Sequence, residues 1–431
     1  MPYGSGQPGS YLFSLWDGGG NVPPQLAVAR RLVERGRRVR ILAPRVLRAR
    51  IEAAGAEFVP LRAVPEHASG SPAGDLMRDW EARTSIGASA RVRDRLIIGS
   101  ALAYARDVFA AIEDERPAVV VADYLPLGAY IAAERAGIPL AVLIHMIYPL
   151  PAFGIPPFGQ GFQPATGTLG RARDALFARL FRQFYDMRLK ELNQARTAMG
   201  LSPLSTVLEQ VARADRLLVM TSAAFDFPAA ALPPNVRYVG PQFEDPAWLE
   251  PWQLPHADAR PLVLVSLSTT YQRQADLMRR IVAALADMPV RALITLGPAL
   301  HGETLALPPN AQAEAYAPHL LVCPHADLVV THGGHGTVMA ALKSGVPLVC
   351  IPMGRDQADT AARVVWRGAG IRVASDAGVA ELRQAMRRVL DEPQFRAGAR
   401  RVAEGIARES DPALVIDELE RLATSPATAV G

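Results

Sequence analysis

Residues Asp327 to Gly345 read DLVVTHGGHGTVMAALKSG, and the run His332-Gly333-Gly334-His335-Gly336-Thr337 within them decides the fold. Ahead of it, Leu328-Val329-Val330-Thr331 has the β-branched character of a strand. Behind it, from about Val338 to Lys343, apolar residues recur with a helical period. Three glycines at a strand-to-helix turn let the backbone come close to a ligand. The helix N-terminus beyond them offers unpaired N–H groups and a partial positive charge, which suits an anion. His332 adds a ring nitrogen at the strand end, Thr337 adds a hydroxyl, and Gly334 and Gly336 keep the backbone open. The combination predicts a diphosphate cradle. It lacks the G-x-x-x-x-G-K-[ST] spacing, since no lysine follows the glycines. His335 is expected to face solvent from the helix.

Val346-Pro347-Leu348-Val349-Cys350-Ile351-Pro352 reads as a buried strand, and Arg355-Asp356-Gln357 opens the next helix. An acid beside an amide at the carboxyl end of a parallel strand suits paired hydroxyls, because one accepts and the other both donates and accepts. A phosphate cradle and a hydroxyl clamp one βα unit apart point to a nucleotide sugar. The run from His332 to Gly370 resembles the donor-binding signature of the family-1 glycosyltransferases, the UDP-glycosyltransferase or macrolide-glycosyltransferase-like group. The resemblance covers nearly the whole chain, and is strongest from Pro261 to Val373. It implies the GT-B architecture: two Rossmann-like, doubly wound α/β domains facing a cleft, with a C-terminal helix crossing back. The domains are expected at 1–240 for the acceptor and 261–410 for the donor, with a linker at 241–260 and the returning helix and tail at 411–431. The resemblance also makes Ser266-Leu267-Ser268-Thr269-Thr270 a second phosphate-facing loop, with Ser268 and Thr269 as contacts. It places the nucleobase near Tyr316-Ala317-Pro318. Ala340 stands where relatives often carry a ribose-binding glutamate.

Composition narrows the class. At 431 residues the chain is too long for one core. Half of it is hydrophobic and a fifth charged, which suits a packed α/β enzyme and excludes a disordered chain. No stretch reaches the ~18 uncharged apolar residues of a membrane span. Met1 to Ser10 lacks a basic n-region, so no signal peptide is expected and the reading is a cytoplasmic protein, a monomer or homodimer. The net charge of +4 is carried by scattered arginines, without a basic block interleaved with aromatics, which argues against nucleic-acid binding. Cys323 and Cys350 sit in apolar runs and read as small buried hydrophobes. No metal-ligand spacing occurs, so no metal or other cofactor is expected beyond a UDP-sugar or dTDP-sugar as donor substrate.

The first half alternates strands and helices: strands at Tyr11-Leu15, Val39-Ala43, Phe58-Leu61, Val119-Ala122, Ala141-Ile144 and Arg216-Met220, and helices at Pro23 to Arg35, Leu96 to Ile112 and Leu127 to Ala136. Such alternation predicts a parallel sheet with helices on both faces. His67 to Asp94 is polar and reads as a flap over a site. Asn235 to Pro255 reads as linker. The loop from Met146 to Gln163 is uncharged and rich in Pro, Gly and Phe. It is either a structural wrap or a hydrophobic acceptor lip, with Phe153 and Phe158 as contacts.

Transfer of a sugar requires a stabilised leaving diphosphate and an acceptor relieved of its proton. On this resemblance His332, Thr337 and the Gly334–Thr337 backbone are expected to answer the first need, in place of the metal used by other glycosyltransferase folds. For the second, relatives carry a histidine in a G-H-V-x-P turn, oriented by a later aspartate. Here the turn is Gly20-Asn21-Val22-Pro23-Pro24. The amide of Asn21 cannot take up a proton at neutral pH, so the usual relay is absent. Asp123 stands at the matching aspartate position, as a base or as a helix cap; Asp17 is the other candidate base or a support of the glycine turn. His145, after strand Ala141-Ile144, is expected to line the acceptor side or to be structural. The leading reading is a metal-independent, inverting hexosyltransferase acting on a hydroxyl of a hydrophobic natural-product-like molecule. The alternative is a degenerate relative that binds a nucleotide or partner without turnover.

Overall fold

The strand segments are apolar on both faces, which suits parallel sheets covered by helices on each side. In the computed structural model, which describes residues 9–68, 70–249, 252–254 and 258–424, they form two such sheets. The first contains β1 (Ser10–Ser14), β2 (Arg38–Ala43), β3 (Glu57–Pro60), β4 (Val119–Asp123), β5 (Leu140–Ile144), β6 (Arg216–Val219) and β7 (Val236–Tyr238), in the order β3-β2-β1-β4-β5-β6-β7. The second contains β8 (Leu262–Ser266), β9 (Arg291–Thr295), β10 (Ala311–Glu314), β11 (Leu328–Thr331), β12 (Leu348–Cys350) and β13 (Gly370–Arg372), in the order β10-β9-β8-β11-β12-β13. Every pairing between these strands is parallel. In each sheet the chain walks outward over three strands and then returns to the other side of the first. The switch points, β1/β4 and β8/β11, open crevices at the carboxyl ends of the strands, where ligands bind in such folds.

The C-terminal part of the chain is helical, in three helices, Val379–Asp391, Pro393–Glu409 and Pro412–Thr424. Pro393 and Pro412 explain the breaks, because proline is tolerated in the first turn of a helix but not inside it. The last helix sets Val415, Ile416, Leu419 and Leu422 into the core of the first sheet beside Leu26 and Val28. Each such side chain, fully buried, contributes about 1.5–3 kcal/mol. The chain therefore crosses back to its first half. Ile147 and Phe225 in turn enter a core built mainly by the second half.

Two readings of the sequence are corrected here. Val236–Tyr238, read as linker, is an edge strand paired with β6. The helix expected from Leu96 runs from Ala101 to Asp114, after a wider turn at Arg93–Ile97. Residues 1–8 of the Met1 to Ser10 segment, part of the expected linker (250–251 and 255–257) and residues 425–431 lie outside the described residues. Among the described residues, no helix is long and apolar enough to cross a membrane. Cys323 and Cys350 are free and buried, as expected, and burial pushes both thiols up to about 12.

Candidate active site in the cleft between the sheets

The carboxyl ends of both sheets border one cavity of about 1370 Å³. A pocket for one drug-sized ligand is typically ~300–1,000 Å³, so the space is ample for two substrates.

On its second-sheet side, β11 ends at Thr331 and helix His335–Lys343 begins after Gly334, with no side chain capping its N-terminus. The first N–H groups of such a helix have no partner within the helix. Gly333 has φ +92°, and a Cβ there would stand 3.0 Å from the Gln357 carbonyl oxygen. A Cβ on Gly334 would meet the His332 ring at 2.6 Å, whereas one on Gly336 would meet nothing within 4 Å. The first two glycines are thus needed to fold the turn, and the third leaves room for a ligand. His332 is buried, and burial, against a weaker opposing hydrogen bond to the Ser266 backbone, pushes its pKa down to about 4. Its ring is neutral at pH 7 and acts through hydrogen bonding rather than charge. Thr337 Oγ1 lies 3.4 Å from Nδ1 of His319, a cavity-lining residue that the sequence reading missed.

The loop after β8 is tied internally: Ser268 Oγ lies 2.9 Å from Thr270 Oγ1 and accepts from the Thr270 N–H at 3.1 Å. Ser268, Thr269 and Pro318 line the cavity. Thr269 faces the first half, where a Cβ on Gly19 would stand 2.5 Å from its hydroxyl, so that glycine permits the close approach of the two halves. Asp356 lines the cavity, and burial pushes its carboxyl up from the ordinary value. Gln357 also lines it, but its carbonyl oxygen accepts from the N–H groups of Met353 (2.7 Å) and Gly354 (3.1 Å), and its Nε2 donates to Gln272. It shapes the turn that presents Asp356. Arg355 (φ +56°), also missed, donates to both oxygens of Asp79 at 2.8 and 3.0 Å and to Thr270 at 2.8 Å. Asp79 belongs to the 67–94 segment, which borders the cavity through Met77, Ile86 and Val92. That flap is therefore pinned to the loop of Arg355.

On the first-sheet side, Asn21 and His145 line the cavity, while Asp123 and Asp17 do not. Asp123 closes β4 with 0% exposure. Its Oδ2 accepts from Asn21 Nδ2 at 3.0 Å and from Gln25 Nε2, and its Oδ1 accepts from the Leu125 N–H at 3.1 Å. Burial alone would raise the Asp123 carboxyl, but the His145 ring, the Asn21 amide and the Leu125 N–H together hold it below the ordinary carboxylate range. His145 Nδ1 lies 3.3 Å from Asp123 Oδ2, at pairing distance but off the hydrogen-bond axis. Asn21 also donates to the Trp16 carbonyl (3.0 Å) and accepts from the Gly18 N–H (2.9 Å), so its side chain holds the glycine turn. Asp17 accepts from the Gly19 N–H in the same turn, as a support.

Two placements differ from the sequence reading. His335 is buried, not solvent-facing: the helix start abuts the first half, and its Nε2 lies 2.8 Å from Thr221 Oγ1. Burial pushes its pKa down to about 3. Phe153 is 73% exposed and outside the cavity lining, because the chain there bridges Ala231 and turns at Gly154 (φ +92°). Phe158 does line the cavity, with Pro149 and Leu150. The larger apolar wall is helix Thr168–Asp186, whose Phe177, Phe181 and Phe184 face the same space. Their i, i+4, i+7 spacing is legible in the sequence as one helix face.

Residues 279–422 match the family described as erythromycin biosynthesis protein CIII-like, C-terminal domain, and residues 19–187 match the glycosyl transferase 4-like domain. The 4'-demethylrebeccamycin synthase of Lentzea aerocolonigenes is 32% identical over 424 residues, which is 95% of this chain and 99% of that one. The solved structure of CalG4, the calicheamicin glycosyltransferase, matches with a TM-score of 0.74 at 25% identity, covering 97% of this chain and 99% of its own. Glycosyltransferase VinC, solved in complex with dTDP, matches with a TM-score of 0.69 at 20% identity over 96% and 99%, a likeness of fold. The chain belongs to the family-1, macrolide-glycosyltransferase-like enzymes of GT-B architecture.

Proposed function

We propose that this glycosyltransferase moves a hexose from a UDP- or dTDP-sugar to a hydroxyl of a hydrophobic, natural-product-like acceptor, without a metal and with inversion at the anomeric carbon. The observation that carries the reading is a single cavity with the His332–Thr337 turn on one side and the Phe158 and Phe177–Phe184 wall on the other. In this reading residues 261–410 hold the donor, residues 1–240 the acceptor, 241–260 link them, and the last helix, Pro412–Thr424, packs back. The leaving diphosphate would rest on the uncapped helix start, with His332 and Thr337 donating to its oxygens. Preorganised donors of this kind usually make the largest contribution to such catalysis. Asp356 would accept from a sugar hydroxyl. Inversion follows if the acceptor attacks from the first-sheet side while the diphosphate leaves toward the second. An acceptor of apolar rings suits the wall, since burying its surface contributes about 25 cal/mol per Å².

The reading is tested by thermal unfolding with UDP and dTDP. A nucleotide at ~100 times its dissociation constant should stabilise the fold by about 2.7 kcal/mol, in EDTA as in magnesium. His332→Ala should remove most of that shift while the unliganded protein stays folded. A shift that appears only with magnesium would refute the metal-free cradle.

A further inference from the structure

The transfer needs a proton acceptor that touches the substrate, and neither of the residues suggested by position provides one. Asn21 carries an amide. Asp123 is sealed from the cavity with both oxygens occupied. We propose that His145 is the general base of the transfer, with Asp123 as its positioning residue, the histidine having moved from the turn after β1 to the end of β5.

The sheet register makes the pairing. Asp123 is the last residue of β4 and lies opposite Leu143 of β5, so His145, just past the end of β5, emerges beside it. Nδ1 faces the carboxylate at 3.3 Å, which leaves Nε2 for the substrate. The side chain is 15% exposed and borders the cavity, with the Tyr124 ring packed 5.2 Å away. Catalytic hydrogen bonds are often poorly aligned before substrate binds and tighten in the complex, and at 3.3 Å the two groups are already within reach of one another. Asn21 and Gln25 then have a role of their own. They donate to the carboxylate, keep it ionised and fix its direction, so that it can stabilise an imidazolium. The titratable groups around His145 are Asp123 and Tyr124 from the first half, and Asp356 and His335 from the second; all but Asp123 line the one cavity with it. The base therefore borders the same space as Asp356, where the acceptor would meet the sugar.

In the step, Nε2 takes the proton of the acceptor hydroxyl. The freed oxygen bonds to the anomeric carbon, and the bond from that carbon to the diphosphate oxygen breaks, its electron pair leaving with the diphosphate. The imidazolium remains paired with the Asp123 carboxylate until solvent removes the proton. This inference rests on the nucleotide-sugar reading above.

The experiment compares wild type, His145→Gln, His145→Asn and Asp123→Asn, using UDP-glucose and dTDP-glucose with an aliphatic polycyclic alcohol and a phenol as acceptors. Either histidine variant should lose roughly 10²–10⁴ in kcat on the alcohol, less on the easily ionised phenol, and lose the acid limb of the pH–rate profile. The thermal shift by UDP should persist in both. Unchanged kcat with a raised acceptor KM would overturn the proposal and leave His145 as an acceptor contact. Histidine ring-nitrogen NMR supplies a readout independent of turnover, with the His145 signal identified by its loss in the variants. A proton on Nδ1 and a bare Nε2 are expected, and the opposite tautomer overturns the assignment. If wild type binds no nucleotide, the parent reading fails, and the NMR result still decides whether the dyad exists.

Discussion

Asp226→Ala is expected to destabilise the folded chain by about 3–5 kcal/mol, the usual cost of leaving a buried charge without its partner. Asp226 lies in the segment after β6, and its Oδ1 meets Arg363 Nε at 2.6 Å, with the two side chains 1% and 3% exposed. The same carboxylate accepts from the Tyr148 and Phe227 N–H groups and from the Tyr238 hydroxyl at 2.8 Å. Arg363 also donates to the Asp359 carbonyl and covers the Phe227 ring at 4.1 Å. Its helix, Gln357–Trp366, begins at the turn that presents Asp356 to the cavity. The pair thus joins the segment after β6 to a helix of the second half. Chemical denaturation should show the loss, and UDP should restore part of it by binding the folded form. A loss below about 1 kcal/mol would place the pair among screened surface contacts.

Acidification from pH 7 to pH 5 should cost about 4 kcal/mol of stability before most carboxylates titrate. His319 and His332 take up protons only near 4 in the folded chain, and His335 only near 3, because burial disfavours their charged forms. An unfolded histidine titrates near 6.5. Below that value the unfolded chain binds protons that the folded chain refuses. The contribution of these rings is therefore complete above pH ~6.5 and is lost as pH falls toward the folded values. Asp359 works the other way, since burial raises its carboxyl to about 6 and acid favours its folded form. It offsets part of the loss of three histidines. Thermal melts across this range should slope accordingly, and His335→Gln should flatten the slope. A flat profile in wild type would mean that the rings are not desolvated as the fold implies.

How much of this was legible from residues depended on the range of the interaction. The structure of the His332–Thr337 turn was readable because it is local: strand, glycines and helix start are contiguous. The helix start at Asp356-Gln357 was readable for the same reason, although the tie from the Gln357 side chain back to Met353 and Gly354 was not. β7 was missed because three residues among Pro233, Pro234 and Pro241 show no periodicity. His335 was misplaced because the surface of a helix in one half says nothing of Thr221 in the other. Phe153 and Phe158 share one apolar loop, and only the turn at Gly154 separates an exposed ring from a lining one. The partnership of His145 with Asp123 depends on strand register, which no run of sequence displays.

The most direct test of the central claim is a transfer assay with purified full-length protein, labelled UDP- and dTDP-hexoses and a panel of polycyclic phenols and alcohols, with products read by mass and anomeric configuration by NMR. The account predicts that the acceptor gains one hexose in EDTA, with anomeric configuration opposite to the donor's, and that His332→Ala abolishes the reaction. A product that retains the donor's configuration, or transfer that occurs only with a divalent metal, would contradict it.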